Sequence, residues 1–168
     1  MNYIKRNLEN VVSQATKEYP ILLVTGPRQV GKTTMLQKLM EGTNRGYVTL
    51  DDLNERNIAK TDPELFLQLH KPPVLIDEVQ YAPELFTYIK IYVDKNHEPG
   101  AFWLTGSQVF KLMRGVQESL AGRVAVLSLT SLSQAEISGG TMKPFTVELE
   151  DLSERQKERE EADTKGIF

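Results

Sequence analysis

Apolar and polar positions along this chain fall into blocks with two different periods, which predict helices and strands in alternation. Residues 3–18 carry apolar side chains at intervals of three and four, so they predict an amphipathic helix that ends before Pro20. Three other blocks are almost continuously apolar, as in strands that are buried on both faces of a parallel sheet. These blocks are residues 21–25, 74–77 and 101–105.

Helical spacing returns between the strand-like blocks, and two shorter blocks complete the predicted sheet. The further predicted strands are residues 47–50 and 124–129. The further predicted helices are residues 32–41, 53–60, 62–71, 83–96 and 109–120. Strands that alternate with helices predict an α/β domain with a parallel sheet and right-handed crossovers.

The first strand-like block runs directly into a glycine-bounded loop, in the stretch ILLVTGPRQVGKTT. Gly26, four residues, Gly31, Lys32 and Thr33 match the phosphate-binding pattern G-x-x-x-x-G-K-[ST] between a strand and a helix. The loop N–H groups and the start of the helix would converge on a polyphosphate. We expect Lys32 to contact the β- and γ-phosphates and Thr33 to bind Mg²⁺. The predicted nucleotide-binding residues are Gly26, Pro27, Arg28, Gln29, Val30, Gly31, Lys32, Thr33 and Thr34.

A second motif, VLIDEVQ at residues 74–80, ends an apolar strand on two acids. Asp77 is expected to hold the Mg²⁺ through its water shell, and Glu78 to polarise the water that attacks the γ-phosphate. The alternative for the pair is a solvated acidic turn. Together with the phosphate loop, the motif predicts a nucleoside triphosphatase site.

Polar residues follow two more of the predicted strands. Ser107, after residues 101–105, is either a sensor of the γ-phosphate with a catalytic role or a plain helix N-cap. Asp51 and Asp52, after residues 47–50, either touch ribose or Mg²⁺ or cap the next helix. Their residue type favours the cap.

Two further hypotheses concern residues outside these motifs. Tyr3, Ile4 and Arg6 enter the first strand region from the N-terminus, so they either pack on the core or lie beside the adenine. Arg123 precedes the last predicted strand. It is either an arginine finger, acting in cis or on a neighbouring subunit, or a member of a surface ion pair.

Composition sets the domain plan. The length of 168 residues suits one domain, which we place at residues 1–146 and identify as the ATPase domain, followed by a charged tail at 147–168. Residues 148–165 hold eight acidic and four basic side chains with few large apolar ones, so we expect a poorly ordered segment or a solvated helix.

Composition also excludes several functions. The sequence has no cysteine and only two histidines, which excludes disulfides and makes a zinc site improbable. No apolar run reaches the roughly 20 residues of a membrane span, so we expect a cytoplasmic protein. The formal charge of −3 comes mostly from the tail, and the near-neutral body gives no electrostatic support for nucleic acid.

The blocks TGPRQVGKTT, YVTLDD, VLIDEVQ, WLTGSQ and SLAGRVAVLSLTSLSQAEI resemble the AAA-type P-loop ATPase domain of a largely uncharacterised bacterial and archaeal family, over about residues 1 to 150. The resemblance implies a three-layer α/β/α sandwich with a parallel five-stranded sheet of order 5-1-4-3-2. Family members usually continue into a second, nuclease-like domain. The sequence ends at Phe168, so we expect that domain, and the second sensor arginine of a lid, to be missing.

These observations predict Mg²⁺-dependent ATP hydrolysis coupled to a conformational output, with self-association or an unknown protein partner. ATP is preferred to GTP because no N-K-x-D guanine-selecting motif occurs. One alternative is a nucleotide-gated interaction module with negligible turnover. Another is a nucleoside kinase, since I-D-E-x-Q also resembles thymidine kinases, although those enzymes generally carry a cysteine zinc site.

Overall fold

A computed structural model describes residues 3–107, 116, 119–139, 153, 156 and 157. Its helices are α1 Leu8–Glu18, α2 Lys32–Met40, α3 Leu53–Thr61, α4 Pro63–Leu69, α5 Leu85–Asn96 and α6 Gln134–Ile137, with a 3₁₀ turn at Val79–Tyr81. Its strands are β1 Ile21–Thr25, β2 Gly46–Thr49, β3 Val74–Asp77, β4 Phe102–Gly106 and β5 Val124–Ser128.

The five strands form one parallel sheet in the order β2-β3-β4-β1-β5. Read from the other edge, this order is the predicted 5-1-4-3-2, so the predicted topology is confirmed. β1 lies between β4 and β5, with Thr25 at the level of Gly106 and Ser128. Because all strands run the same way, the segments that follow β1, β3 and β4 leave the sheet at one common edge.

Alternate residues of β1 point into two separate cores. Leu22 and Val24 pack with Val12 of α1 and Met35 of α2 on one face of the sheet. On the other face, Ile21 and Leu23 belong to a second cluster that includes residues of α3, α4 and α5. Every residue of β1 is buried, as its continuous apolar sequence predicts. The result is the expected three-layer α/β/α arrangement.

The main difference from the predicted elements is at the N-terminus. Helix α1 begins at Leu8 rather than near Tyr3, because the backbone N–H of Arg6 donates to the Glu9 carboxylate (2.6 Å) and the Arg6 side chain turns into the protein. Strand β2 begins one residue earlier than predicted. The predicted helix at 109–120 and the predicted tail at 147–168 lie almost entirely outside the described residues.

Candidate nucleotide-binding site

The loop between β1 and α2 is shaped by two glycines with positive φ. Gly26 has φ 142°, and a Cβ added there would lie 2.0 Å from the carbonyl oxygen of Leu129. Gly31 has φ 90° and directly precedes the first residue of α2. Both positions therefore require glycine, the first because of close backbone approach and the second because of the left-handed conformation at the helix start.

Lys32 is the first residue of α2, its side chain packs against this loop, and the residue is only 5% exposed. Its Nζ donates to the carbonyl oxygens of Gly26 (3.1 Å) and Pro27 (2.8 Å). Burial lowers the pKa of Lys32, while the nearby Glu78 and Asp77 carboxylates act in the opposite direction. The loop thus holds an ammonium group among backbone carbonyls and beside two acids, where phosphate oxygens would replace weak neutral partners.

Thr33 and Asp77 come from different parts of the sequence and meet at the carboxyl edge of the sheet. The Thr33 hydroxyl donates to Asp77 Oδ1 at 2.7 Å. Thr105 is a fully buried residue of β4, the strand that pairs with β3, and it also donates to Asp77 Oδ1. Tyr47 OH lies 3.4 Å from Asp77 Oδ2, and burial followed by the charge of Asp77 raises the pKa of this tyrosine. The hydroxyl and carboxylate oxygens form a hard-ligand set of the kind that Mg²⁺ prefers.

Glu78 follows Asp77 with an unusual backbone conformation, φ 57°. Its N–H donates to Thr105 Oγ1 at 3.0 Å. Its side-chain Oε2 accepts hydrogen bonds from Ser107 Oγ (3.1 Å) and from Gln80 Nε2. A non-glycine residue in the left-handed region costs energy and is typical of sites where a side chain has to be aimed.

Two cavities flank the loop. One, of about 480 Å³, lies beside the N-terminal segment. Its lining consists of Tyr3, Ile4, Arg6, Gln29, Val30, Gly31, Thr34, Ser131 and Leu132. The other, of about 330 Å³, lies on the acidic side and is lined by Arg28, Gln29, Asp51, Glu78 and Tyr81. A mostly apolar cavity at one end of the loop and a charged one at the other suit the two ends of a nucleoside triphosphate.

Arg6 connects the loop to the end of the sheet and to α6. Its guanidinium donates to Val30 O and Thr130 O, both at 2.8 Å, and forms an ion pair with Glu136 at 3.1 Å. Burial by itself raises the pKa of Glu136, but hydrogen bonds from Ser133, Asn7 and Arg6 outweigh it and lower the pKa to about 2. The Glu136 carboxylate is therefore a charged, fully engaged support for the loop.

The two aspartates after β2 have separate roles. Asp52 caps α3, since its carboxylate accepts from the backbone N–H groups of Asn54 (2.8 Å) and Glu55 (3.2 Å). Asp51 instead lines the acidic cavity and lies 3.8 Å from Arg56. The capping interpretation thus holds for one residue of the pair, whereas the other faces the site.

Arg123 does not lie at this site. It immediately precedes β5, and its carbonyl accepts from Ile21 N (3.3 Å) at the opposite end of β1 from the loop. Its half-buried side chain forms a two-pronged ion pair with Asp94 at the surface. The sheet separates the two ends of β1 by about 13 Å at about 3.3 Å per residue, so the arrangement excludes a finger acting on the chain's own loop.

Several residues of the site were not among the sequence predictions, and three of them make hydrogen bonds that support it: Thr105, Glu136 and Gln80. Thr105 ends an apolar strand with a polar side chain, which is a usable signal. Glu136 forms a capping box with Ser133, and the S-x-x-E spacing that announces it is present in the sequence. Gln80 offers no comparable signal, because its contacts with Glu78 and Ser107 depend on how the chain turns after β3.

The fold and this site together define a P-loop nucleotide-binding domain. A loop of the phosphate-binding pattern follows β1, and at the same end of the sheet Asp77 ends β3 and Glu78 follows it. The model of the AAA domain family matches residues 18–138, and the chain belongs to that family.

Two uncharacterised proteins, from Mycobacterium tuberculosis and Mycobacterium bovis, are each 33% identical to this chain over 134 residues. The match covers 79% of this chain and 30% of each relative, so the chain spans less than a third of their length. A Walker-type ATPase of Pyrococcus abyssi is similar in structure, with a TM-score of 0.58 at 18% identity, covering 80% of this chain and 55% of that one. This last likeness concerns the fold. Among the helices of the described ranges, none is long and apolar enough to cross a membrane.

Proposed function

We propose that this chain binds ATP together with Mg²⁺ and hydrolyses the bond between the β- and γ-phosphates. The observation that carries the proposal is the 2.7 Å hydrogen bond between Thr33 of the loop and Asp77 of β3. It brings the hydroxyl of Thr33, which follows Lys32, against the carboxylate of Asp77, which ends a different strand. Glu78 stands next in the chain, with Lys32 among the charges nearby.

Binding would use the two cavities and the loop between them. The β- and γ-phosphates would lie against the backbone N–H groups of residues 26–31 and the Lys32 ammonium, at the positive end of α2. The base would occupy the cavity beside Tyr3 and Ile4, where Arg6 is already committed to Val30, Thr130 and Glu136. The adenine hypothesis thereby gains a cavity of suitable size, about 480 Å³.

Thr33 and Asp77 would hold the metal. Their oxygens fit Mg²⁺, which keeps several waters and takes few protein ligands. The part of the chain that the structure describes contains no group of three or more acidic or histidine side chains that would build an all-protein cage. When bound, the ion would neutralise charge on the β- and γ-phosphates.

Glu78 would act on the water. Its carboxylate lines the acidic cavity with Arg28 and Asp51, on the γ-phosphate side of the loop. It would orient the water and accept a proton as the water oxygen attacks the γ-phosphorus, while the bond to the ADP oxygen breaks. Ser107, hydrogen-bonded to the same carboxylate, would couple the γ-phosphate to the end of β4.

The output of turnover would be a conformational signal to another protein or to a second copy of the chain. In this proposal Arg123 would act only on the site of a neighbouring copy. In its own copy it lies beside the amino end of β1, opposite the phosphate loop. No electrostatic argument favours nucleic acid as the partner.

The test compares Lys32→Ala with Glu78→Gln in equilibrium ATP binding and single-turnover hydrolysis. Lys32 contacts phosphates that are charged in the ground state, so its loss should weaken binding and abolish hydrolysis together. Glu78→Gln should keep binding but slow hydrolysis by about 10² to 10⁴, the usual contribution of a general base. Lys38→Ala is the matched control, since Lys38 lies on the same helix but pairs with Glu41 at the surface.

Each failure has its own meaning. Parent-rate hydrolysis by Glu78→Gln would remove Glu78 from the mechanism. Tight ATP binding by a parent protein without turnover would instead support the nucleotide-gated interaction module. Transfer of the γ-phosphate to added nucleosides would support the kinase.

A further inference from the structure

Gln80 contacts the Glu78 carboxylate and also Ser107, the other side chain that donates to this carboxylate. Its Nε2 donates to Glu78 Oε2 and lies 3.4 Å from Ser107 Oγ. Ser107 Oγ in turn donates to the same Oε2 at 3.1 Å. One oxygen of the carboxylate therefore carries two hydrogen bonds. Within the described residues, no hydrogen bond to the other oxygen, Oε1, is found.

The orientation of the Gln80 amide is fixed by chemistry. A carboxylate only accepts hydrogen bonds, so the amide has to turn its nitrogen toward Glu78 and its oxygen away. That oxygen, Oε1, is buried and has no hydrogen-bond partner among the described residues. A buried acceptor without a hydrogen-bond partner destabilises a fold. The presence of a glutamine at this position is therefore better explained by the hydrogen bond that its Nε2 donates to Glu78.

The backbone conformation after β3 also places Gln80 beside the Glu78 carboxylate. Gln80 lies in the one-turn 3₁₀ helix Val79–Tyr81, directly after Glu78 with its left-handed φ of 57°. This turn brings the Gln80 side chain onto the Glu78 carboxylate two positions earlier in the chain. In a continued strand the two side chains would share a face but would be about 6.6 Å apart along it, at about 3.3 Å per residue. Thr105 holds the Glu78 N–H on the other side.

We propose that Gln80 is a positioning residue for Glu78: it shares Oε2 with Ser107 and so leaves Oε1 as the oxygen that faces the attacking water. The inference rests on the proposed ATPase function. In the reaction, the water oxygen bonds to the γ-phosphorus, the electron pair of the broken bond leaves on ADP, and the proton of the water goes to Glu78 Oε1. Gln80 touches neither the water nor the phosphate, and it acts through Glu78.

The experiment is a double-mutant cycle with Gln80→Met and Glu78→Gln, read by kcat, KM and thermal stability. Methionine keeps the length of glutamine but removes both the amide donor and the unpaired Oε1. We expect kcat to fall about 10- to 100-fold, as for loss of a hydrogen bond to a charged group. KM for ATP should change less than about twofold and Tm should stay equal or rise, since the unpaired acceptor is gone.

The cycle separates positioning from a merely structural role. In the Glu78→Gln background, Gln80→Met should cause no further loss of kcat, because the group through which it acts is absent. Equal losses in both backgrounds would overturn the inference, and so would parent kcat in Gln80→Met. Gln80→Ala serves as a second variant, and Gln68→Ala on the surface of α4 is the control for replacing a glutamine.

The failure of this inference is distinguishable from the failure of the proposed function. A parent whose hydrolysis does not depend on Glu78 overturns both. A parent that loses hydrolysis with Glu78→Gln but keeps it with Gln80→Met overturns only the role of Gln80.

Discussion

Gly26 shows how much of the site depends on a single missing carbon atom. Its backbone approaches the Leu129 carbonyl so closely that a Cβ would sit 2.0 Å from the oxygen. Leu129 N also donates to Thr25 O at 2.8 Å, so the two segments are tied at this point. The phosphate loop thus leaves β1 through a gap that only glycine fits.

We predict that Gly26→Ala abolishes ATP binding and destabilises the fold more than Gly42→Ala does. Both positions have positive φ, at 142° and 75°, but nothing lies within 4 Å of a Cβ at Gly42. Gly42→Ala should therefore show only the conformational cost, about 1 to 2 kcal/mol. Urea denaturation and equilibrium ATP binding measure the two effects. Equal stability losses in the two variants would contradict the steric explanation.

The residues that carry the proposed chemistry could be predicted because their motifs are local. Lys32 and Thr33 follow a glycine pattern, and Asp77 and Glu78 follow an apolar strand; the structure brings all four to one edge of the sheet. Gln80 could not be predicted, because its partners are set by a turn with a left-handed residue. For Arg123 the sequence left a finger and an ion pair open; the structure shows the ion pair with Asp94, and a finger that acts on a neighbouring subunit stays a prediction.

At the scale of the element, α3 illustrates how a polar residue after a strand is used. The Asp52 carboxylate accepts from two N–H groups in the first turn of α3, where it also opposes the helix dipole. Its neighbour Asp51 faces the acidic cavity instead. Sequence predicts that a cap exists here, but the choice between adjacent aspartates depends on backbone direction.

We predict that Asp52→Ala lowers the free energy of unfolding by about 1 kcal/mol, as expected for loss of an N-cap. ATP affinity should remain at the parent value, because the side chain is occupied with α3. Asp52→Asn should restore most of the stability, since asparagine caps nearly as well. Chemical denaturation and ATP titration of the two variants provide the measurement; a large loss of affinity in Asp52→Ala would place this residue in the site.

The N-terminal segment and α6 form a second example. The apolar spacing of residues 3–18 predicts a helix throughout, but Arg6 is drawn into a buried pair with Glu136 at a separation of 130 residues. Periodicity within the segment contains no information about that distant partner. The start of α1 was therefore predicted too early.

We predict that Glu136→Gln destabilises the protein near pH 7 by about 3 kcal/mol, because it leaves the buried Arg6 without its counter-ion. The pKa of Glu136 is lowered from 4.5 to about 2, so the charge stabilises the fold above about pH 4.5. That stabilisation is lost as the pH falls toward 2. The gap between parent and variant should consequently shrink from pH 7 to pH 3 in urea denaturation. A gap independent of pH would argue against the charged pair, with surface Glu64→Gln as the control.

For the molecule as a whole, the candidate site lies at the carboxyl ends of the parallel strands, and Arg123 lies at their amino ends. The pairing of Ile21 with Val124 and of Thr25 with Ser128 fixes this separation. A role for Arg123 in turnover therefore requires a second copy, placed with its Arg123 edge against the first copy's loop.

We predict that Arg123→Ala leaves turnover per chain unchanged at protein concentrations where the parent is monomeric. If copies associate and Arg123 acts between them, the parent alone should gain specific activity as concentration rises. Hydrolysis measured across a dilution series, with light scattering of the same samples, tests this. Slower turnover of the variant as a monomer would contradict the placement of Arg123.

The central position of β1 has a consequence for the making of the protein. Residues 21–34 are synthesised before their partners, because β1 pairs with strands at 102–106 and 124–128 and Gly26 packs against Leu129. A nascent chain carries the whole phosphate-binding motif long before it has the strands that shape it. Pairing between segments this far apart in sequence slows folding, and the apolar strand segments stay exposed until their partner strands have been made. Nucleotide can therefore stabilise this protein only after about residue 130 has been added. The ligand then stabilises the folded domain, but it does not bind the partly synthesised chain and does not assist its folding.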